Sequence, residues 1–254
     1  MIIDTFDDKS EAIINPILKE NREHLDICLI NFSNVIEEYI VKKYNPEIIA
    51  YVKCANGKRP IYKIDYNGKK IGYYKSYIGA PACTGMIETM LEEVDVDKFL
   101  LFGGAGCLDK EIAHGKIMIP QKAYRDEGTS YHYMKASDYV DVKNHEIVKA
   151  FMEENKIPHI EGKTWTTDSF YRETKNNFEK HKNDGCISVE MECAGVQAMC
   201  DFRNLELYVF FNSGDLLDAP EWDERHESEE YSGTQHDCTF LKIAIKLADY
   251  ILGE

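Results

Sequence analysis

No two cysteines stand in a C-x-x-C spacing: the eight of them (Cys28, Cys54, Cys83, Cys107, Cys186, Cys193, Cys200 and Cys238) are scattered along the chain. That excludes the common zinc-cluster and dithiol motifs, so no metal is expected. The N-terminal stretch MIIDTFDDKSEAIINP lacks the basic start and apolar core of a signal peptide, and the thiols therefore read as free, in a reducing cytoplasm. Nowhere is there a run of about 18 apolar residues, which excludes a membrane-spanning helix. Positive charge is scarce, with 30 basic against 45 acidic residues and a formal net charge of −15. Such a chain repels polyanions, so nucleic acid is not an expected partner. Internal repeats, low-complexity tracts and Pro/Ser-rich linkers are also missing, and residues 1–254 are expected to form one domain.

What is present is an ordinary soluble composition, 44% hydrophobic and 30% charged, too apolar for disorder and long enough to bury a sizeable core. DICLINFS (26–33) reads as a strand followed by a helix through NVIEEYIVKKY. PIYKIDY (60–66) and KKIGYYKSYI (69–78) flank Asn67-Gly68, a strong hairpin signal. Met86, Ile87, Met90, Leu91 and Val94 fall at helical spacing after Pro81. FLLFGGAG (99–106) is an apolar strand running into glycines, and KIMIP (116–120) a short strand stopped by its proline. NHEIVKAFMEENK (144–156) is an amphipathic helix. CISV (186–189) is a strand leading into the helix MECAGVQAMCDF, LELYVFF (205–211) is another strand, and residues 238–252 form a last helix. Apolar strands alternating with helices imply an α/β layer fold with its sheet covered on both sides, and the early hairpin makes that sheet mixed.

In open α/β sheets ligands bind beyond the carboxyl ends of the strands. Three strands end there in unusual residues: Gly103, Gly104, Ala105 and Gly106; then Glu190, Met191 and Glu192; then Asn212, Ser213, Gly214 and Asp215. Together these would supply a flexible backbone cradle, a carboxylate pair and a third carboxylate. Each also has a plainer reading: a tight turn for the glycines, a solvated helix N-terminus for the glutamates, and a loop or capping residue for Asp215. The glycines do not make a dinucleotide fingerprint, because the G-x-G-x-x-G spacing is absent. YRDEGTSYHY (124–133) has the density of a functional loop or of a solvated one. In WTTDSFYRET (165–174), Trp165, Phe170 and Tyr171 are either core residues or a flat surface for a heterocyclic base.

SVEMECAG, preceded by TTDSFYRE and by LLFGGAGCLDKEIAHGKIMIPQKAYRDEGTSYHY, resembles the nucleoside phosphorylase superfamily of purine nucleoside and uridine phosphorylases, over residues 60 to 218. The resemblance implies a single three-layer α/β/α domain around a mixed, partly barrel-like sheet, assembled as homodimers or homohexamers. It implies cleavage of the N-glycosidic bond of a nucleoside by phosphate, the co-substrate, with no other cofactor. Met191 and Glu192 would contact the ribose, Glu192 accepting hydrogen bonds from its hydroxyls, with Glu190 beside them. Phe170 would pack on the base. Asp215 would protonate that base, purine rather than pyrimidine, although an extra glycine separates it from Ser213. The chemistry suits these types: a carboxylate favours the cationic, oxocarbenium-like sugar, and a protonated acid neutralises the departing base.

The phosphate end departs from the family. Where the family carries glycine and arginine, this chain has Asn31, Phe32 and Ser33, and the places of a second arginine and a hydroxyl residue fall on Leu101 and Gly104. Arg59 matches a third arginine, lent by a neighbouring subunit, and Gly103 and Gly104 offer backbone N–H groups, with Arg125 a further cation. The primary expectation is a phosphorylase of purine salvage. The alternatives are a nucleosidase using water in the same pocket and a non-catalytic nucleoside-binding homologue.

Overall fold

The computed structural model describes residues 1–55, 57–218 and 233–253. A short 3-10 turn at Ile2–Asp4 opens the chain, followed by β1 (Glu23–His24), β2 (Ile27–Asn31) and α1 (Asn34–Tyr44). The Ser33 side chain caps α1 by accepting from the Ile36 N–H. Next come β3 (Glu47–Cys54), β4 (Gly57–Tyr66) and β5 (Lys69–Lys75). Asn67 and Gly68 turn β4 into β5 with φ of 52° and 79°, the left-handed pair that a two-residue hairpin requires. The chain continues through α2 (Ala80–Glu93), β6 (Val94–Asp95), β7 (Lys98–Cys107), α3 (Lys110–Ala113), β8 (Ile117–Asp126), α4 (Ser130–Tyr133) and β9 (Tyr139–Asp141). It closes with α5 (His145–Glu154), β10 (His159–Thr167), α6 (Lys175–Asn183), β11 (Cys186–Glu190), α7 (Cys193–Arg203), β12 (Glu206–Leu216) and α8 (Gly233–Ile251).

The main sheet is mixed, as expected, and runs β11-β10-β8-β12-β7-β2-β5-β4-β3, with β9 on β8. The far end of β7 also pairs antiparallel with β11 through Gly106–Val189 and Cys107–Ser188. That second pairing closes β7, β12, β8, β10 and β11 into a ring, and β2, β5, β4 and β3 extend from it as an open flap. The partly barrel-like sheet implied by the resemblance is therefore present. β7 serves both regions, pairing with β2 through residues 99–101 and with β11 through 106–107.

The apolar runs in β2, β7 and β12 are explained by layers on both faces. Cys28, Ile30, Phe99, Leu101, Leu207 and Val209 pack in one core with α2 and α7. Their sequence neighbours Ile27, Leu29, Leu100, Phe102, Tyr208 and Phe210 pack in the other with α1, α5 and α8. Alternate residues of a strand point to opposite faces, so a strand covered on both sides is apolar throughout.

Two sequence expectations change here. The strand expected to stop at Pro120 continues to Asp126. Pro120 lies opposite Gly162, where the β8–β10 register shifts, and a proline that cannot donate is tolerated at such an irregularity. The stretch around Trp165 is also a strand, β10, whose end is buried. Trp165 itself is core, packed with Leu108, Cys186 and Val189. No helix among the described residues is long and apolar enough to cross a membrane.

Candidate active site

A cavity of about 1450 Å³ opens at the carboxyl ends of β2, β7, β11 and β12. Its lining includes Gly103 and Gly104 from β7, Glu190 from β11, Met191 and Glu192 from the β11–α7 junction, Asp215 from β12, and Phe170 from the 3-10 turn Phe170–Arg172. The structure thus gathers those seven sequence-predicted residues around one space. Arg59 is not among them: it sits on β4 with its guanidinium 4.5 Å from the Tyr77 ring centroid. Arg125 is also elsewhere, buried, donating to Ser130, Lys135 and Ser137 and stacked on Tyr131. It braces the 124–139 loop, and its donors are consumed there.

Glu190 and Glu192 are not a solvated helix end; each is only 6% exposed. Glu190 Oε2 accepts the N–H groups of Glu192 and Cys193, both at 2.7 Å, and so caps the start of α7. Its Oε1 accepts the Thr166 hydroxyl and, at 3.4 Å, that of Thr164. The Thr166 oxygen in turn accepts the Ala194 N–H at 3.1 Å. Three orphan donors of one helix are thereby satisfied from β10 and β11. Glu192 Oε1 accepts the Gly79 N–H at 2.6 Å, from the residue that precedes α2. Gly79 has φ of 102°, a conformation that an L side chain adopts only under strain.

Burial raises the pKa of both glutamates, and the neighbouring charge of Glu190 raises that of Glu192 further. Two desolvated carboxyls side by side resist carrying two charges. The four donors on Glu190 favour its ionised form, which leaves Glu192 as the group that holds the proton longer. A cation developing beside them would draw out full ionisation.

Phe170 is half exposed at 53%, and its ring centroid lies 4.2 Å from that of Tyr171 with the two planes inclined by 42°, so each presents its own aromatic surface beside the cavity. Asp215 follows the bend of β12, where Gly214 runs against the Ala105 carbonyl so closely that a Cβ would lie 3.1 Å from it.

Where β2 hands over to α1 the lining is Asn31, Phe32, Ser33 and Ile36, with no charged side chain among them. Phe102 also lines the cavity, and a Cβ on Gly103 would lie 3.5 Å from the Phe32 ring. Asn31 donates to the Phe102 carbonyl and accepts from the Ser33 N–H, both at 2.7 Å, tying β2 to β7. The buried Lys75 is held by Glu37 and by Asn34 on α1 and does not line the cavity. Lys175 is the one cation among the described lining residues, against Glu173, Glu179, Glu190, Glu192, Asp215 and Asp218.

Glu173, within WTTDSFYRET, is a further carboxyl of the cavity that its local sequence does not announce. Its carboxyl is pushed up to about 7, first by burial and then by the charge of Asp215. Nothing in the local pattern marks it, because its partner lies on another strand. Phe32 stands in the stretch that the resemblance assigns to phosphate, and Ile36, one turn into α1, joins it in the lining.

A closed mixed barrel with an open flap, carrying a carboxylate-lined cavity at its strand ends, defines a class of α/β enzyme fold. The sequence model of the phosphorylase superfamily matches residues 31–245, and the chain belongs to that superfamily. It is 24% identical over 232 residues to a DeoD-type purine nucleoside phosphorylase of Bacillus velezensis, covering 89% of this chain and 95% of the relative. It is 25% identical over 190 residues to the uncharacterized protein R802 of Acanthamoeba polyphaga mimivirus, covering 74% of each. Among solved structures, futalosine hydrolase of Helicobacter pylori strain 26695, in a mutant form, superposes with a TM-score of 0.68 at 17% identity, over 89% of this chain and 99% of that one. At that identity the likeness concerns the fold.

Proposed function

We propose that the cavity binds a purine nucleoside and cleaves its N-glycosidic bond, with water as the acceptor of the pentose. The observation that carries this reading is the buried Glu190–Glu192 pair, held by donors from α7, β10 and the Gly79 turn, in the same cavity as Phe170 and Asp215. Glu192 and Met191 take the ribose, Glu190 fixes the helix and adds its charge, and Phe170 with Tyr171 faces the base. As the C1′–N bond stretches, the sugar becomes an oxocarbenium-like cation, and the desolvated carboxylates stabilise it more than they stabilise the neutral substrate. Asp215, which lines the same cavity, gives the departing base its proton.

Water is favoured over phosphate by the character of the β2–α1 lining. A phosphate dianion needs charged donors, which contribute about 1.5–3 kcal/mol each. Among the described lining residues there is a single lysine against six carboxylates, and the Phe32 ring packs against Gly103. The kinship with DeoD-type phosphorylases supports the second reading, phosphorolysis, with Arg59 of a second copy and the N–H groups of Gly103 and Gly104 holding the anion. Free base released from adenosine or inosine at the same rate with and without phosphate is the expected result. Release only in the presence of phosphate establishes the second reading, and binding without release from any nucleoside contradicts both.

A further inference from the structure

We propose that Thr166 is a positioning residue of the proposed sugar site: its hydroxyl, buried behind the cavity wall, fixes Glu190 as the charged member of the carboxyl pair and holds the start of α7 against it. The inference rests on the nucleoside-cleaving reading above and deepens it by a residue that touches no ligand.

In the β10–β11 register Thr164 lies beside Ser188 and Thr166 beside Glu190, so these four side chains share one face of the sheet. Trp165 and Val189 take the other face, in the cluster with Leu108 and Cys186. Thr166 is fully buried and is not among the lining residues of the cavity. Its oxygen is committed in both directions: it donates its proton to Glu190 Oε1 and accepts the Ala194 N–H at 3.1 Å. Glu190 Oε2 takes the N–H groups of Glu192 and Cys193, both at 2.7 Å. Carboxylate and hydroxyl together thus hold three successive N–H groups at the start of α7, the segment that carries Glu192. Thr164 is bound less well. It accepts the Ser188 hydroxyl at 2.9 Å, and its own proton is divided between the Ser188 carbonyl and Glu190 Oε1, each at 3.4 Å.

This arrangement suits an ionised Glu190. Both of its oxygens face donors, and a proton on Oε1 would force the Thr166 hydroxyl to turn and give up its present acceptor. The Ala194 N–H on the same oxygen polarises that hydroxyl and strengthens it as a donor. The other titratable groups against Glu190 are Glu192 and the buried thiols of Cys193 on α7 and Cys83 on α2; β7, paired to β11 at Gly106 and Cys107, brings the Cys107 thiol. Burial pushes the Glu190 carboxyl up to about 7, and what opposes burial is its hydrogen-bond donors, Thr166 foremost. Removing this hydroxyl takes away a donor that favours the charged form, so Glu190 keeps its proton to higher pH. Protonated, it no longer stabilises a cationic sugar.

The test follows kcat and KM for base release from adenosine or inosine against pH, in the wild-type chain and in Thr166→Val, Thr166→Ser and Thr164→Val. The wild-type kcat is expected to rise through about pH 7 as Glu190 ionises. Thr166→Val should move this acid limb upward by about one pH unit, which lowers kcat about tenfold on the acid side. KM should change by less than about twofold, because Thr166 lies outside the cavity lining. Thr166→Ser keeps the hydroxyl and should restore the wild-type limb. Thr164→Val removes only the two bonds of 3.4 Å and should move the limb by less than half as much. Carbon-13 NMR of labelled glutamate carboxyls, with Glu190 assigned by Glu190→Gln, reads the same titration without turnover. A limb and a carboxyl titration left in place by Thr166→Val, or displaced as far by Thr166→Ser, overturn this inference and leave the parent reading intact. No base release by the wild type overturns the parent reading and the catalytic part of this one; the carboxyl titration then decides whether Thr166 sets the charge of Glu190.

Discussion

At the β11–α7 junction, the proposed sugar site, two glutamates are buried by partners drawn from β10, α7 and the turn before α2. Where β2 hands over to α1, Asn31 and Ser33 spend their polar atoms on wiring β2 to β7 and starting α1, and phenyl rings face the space. Both belong to one superfamily scaffold, yet only the first carries charged side chains on the cavity wall. On the proposed reading, the contrast teaches that stabilising a pentose cation and holding a particular nucleophile are separable tasks. The first needs charge fixed in a dry site; the second, when the nucleophile is water, needs no cation.

The contrast can be broken most directly at Glu192. Glu192→Gln should lower kcat/KM for base release by about 10²–10³-fold, the scale of losing one preorganised electrostatic partner. Circular dichroism should remain native. Near-normal turnover would remove Glu192 from the sugar-stabilising role and with it the distinction between the two regions.

Backbone geometry comes next. Gly79→Ala places a methyl group at φ of 102° and disturbs the N–H that holds Glu192. A stability loss of about 1–2 kcal/mol is expected in urea unfolding, with a weaker grip on substrate seen as a raised KM. An unchanged midpoint and KM would show that the turn is not what sets the carboxylate.

The smallest expected effect is on pH-dependent stability. The folded-state pKa values of Glu190 and Glu192 are raised above the ordinary carboxyl value of 4.5, so the unfolded chain gives up these protons first. Their protonated forms therefore contribute fully below about pH 4.5, and the contribution is lost as pH rises through the folded values of about 7 and about 8. Glu192→Gln should melt higher than wild type at pH 8.5, with the two converging toward pH 5. Parallel melting curves at both pH values would contradict the buried, proton-holding state of the pair.

Much of this was legible along the chain. The E-M-E string, the Asn67-Gly68 turn and the apolar runs of β7 and β12 each carry their cause within a few residues. What was not legible depends on distant partners. Thr164 and Thr166, which satisfy Glu190, sit on a strand that the aromatic residues disguised, and the Gly79 N–H reaches Glu192 from 113 positions away. Glu173 follows the Phe170–Arg172 turn, and the charge that acts on it comes from Asp215 on β12, far along the chain and outside any local window. The extension of β8 past Pro120 likewise depends on a register shift in its neighbour, which no window around the proline contains.

The separation of the two tasks is tested most directly by the chemical form of the sugar product. With adenosine and excess phosphate, phosphorus NMR should show inorganic phosphate unchanged while free ribose and adenine accumulate. Appearance of ribose 1-phosphate in step with adenine would contradict the account, because the cavity would then be holding an anion after all.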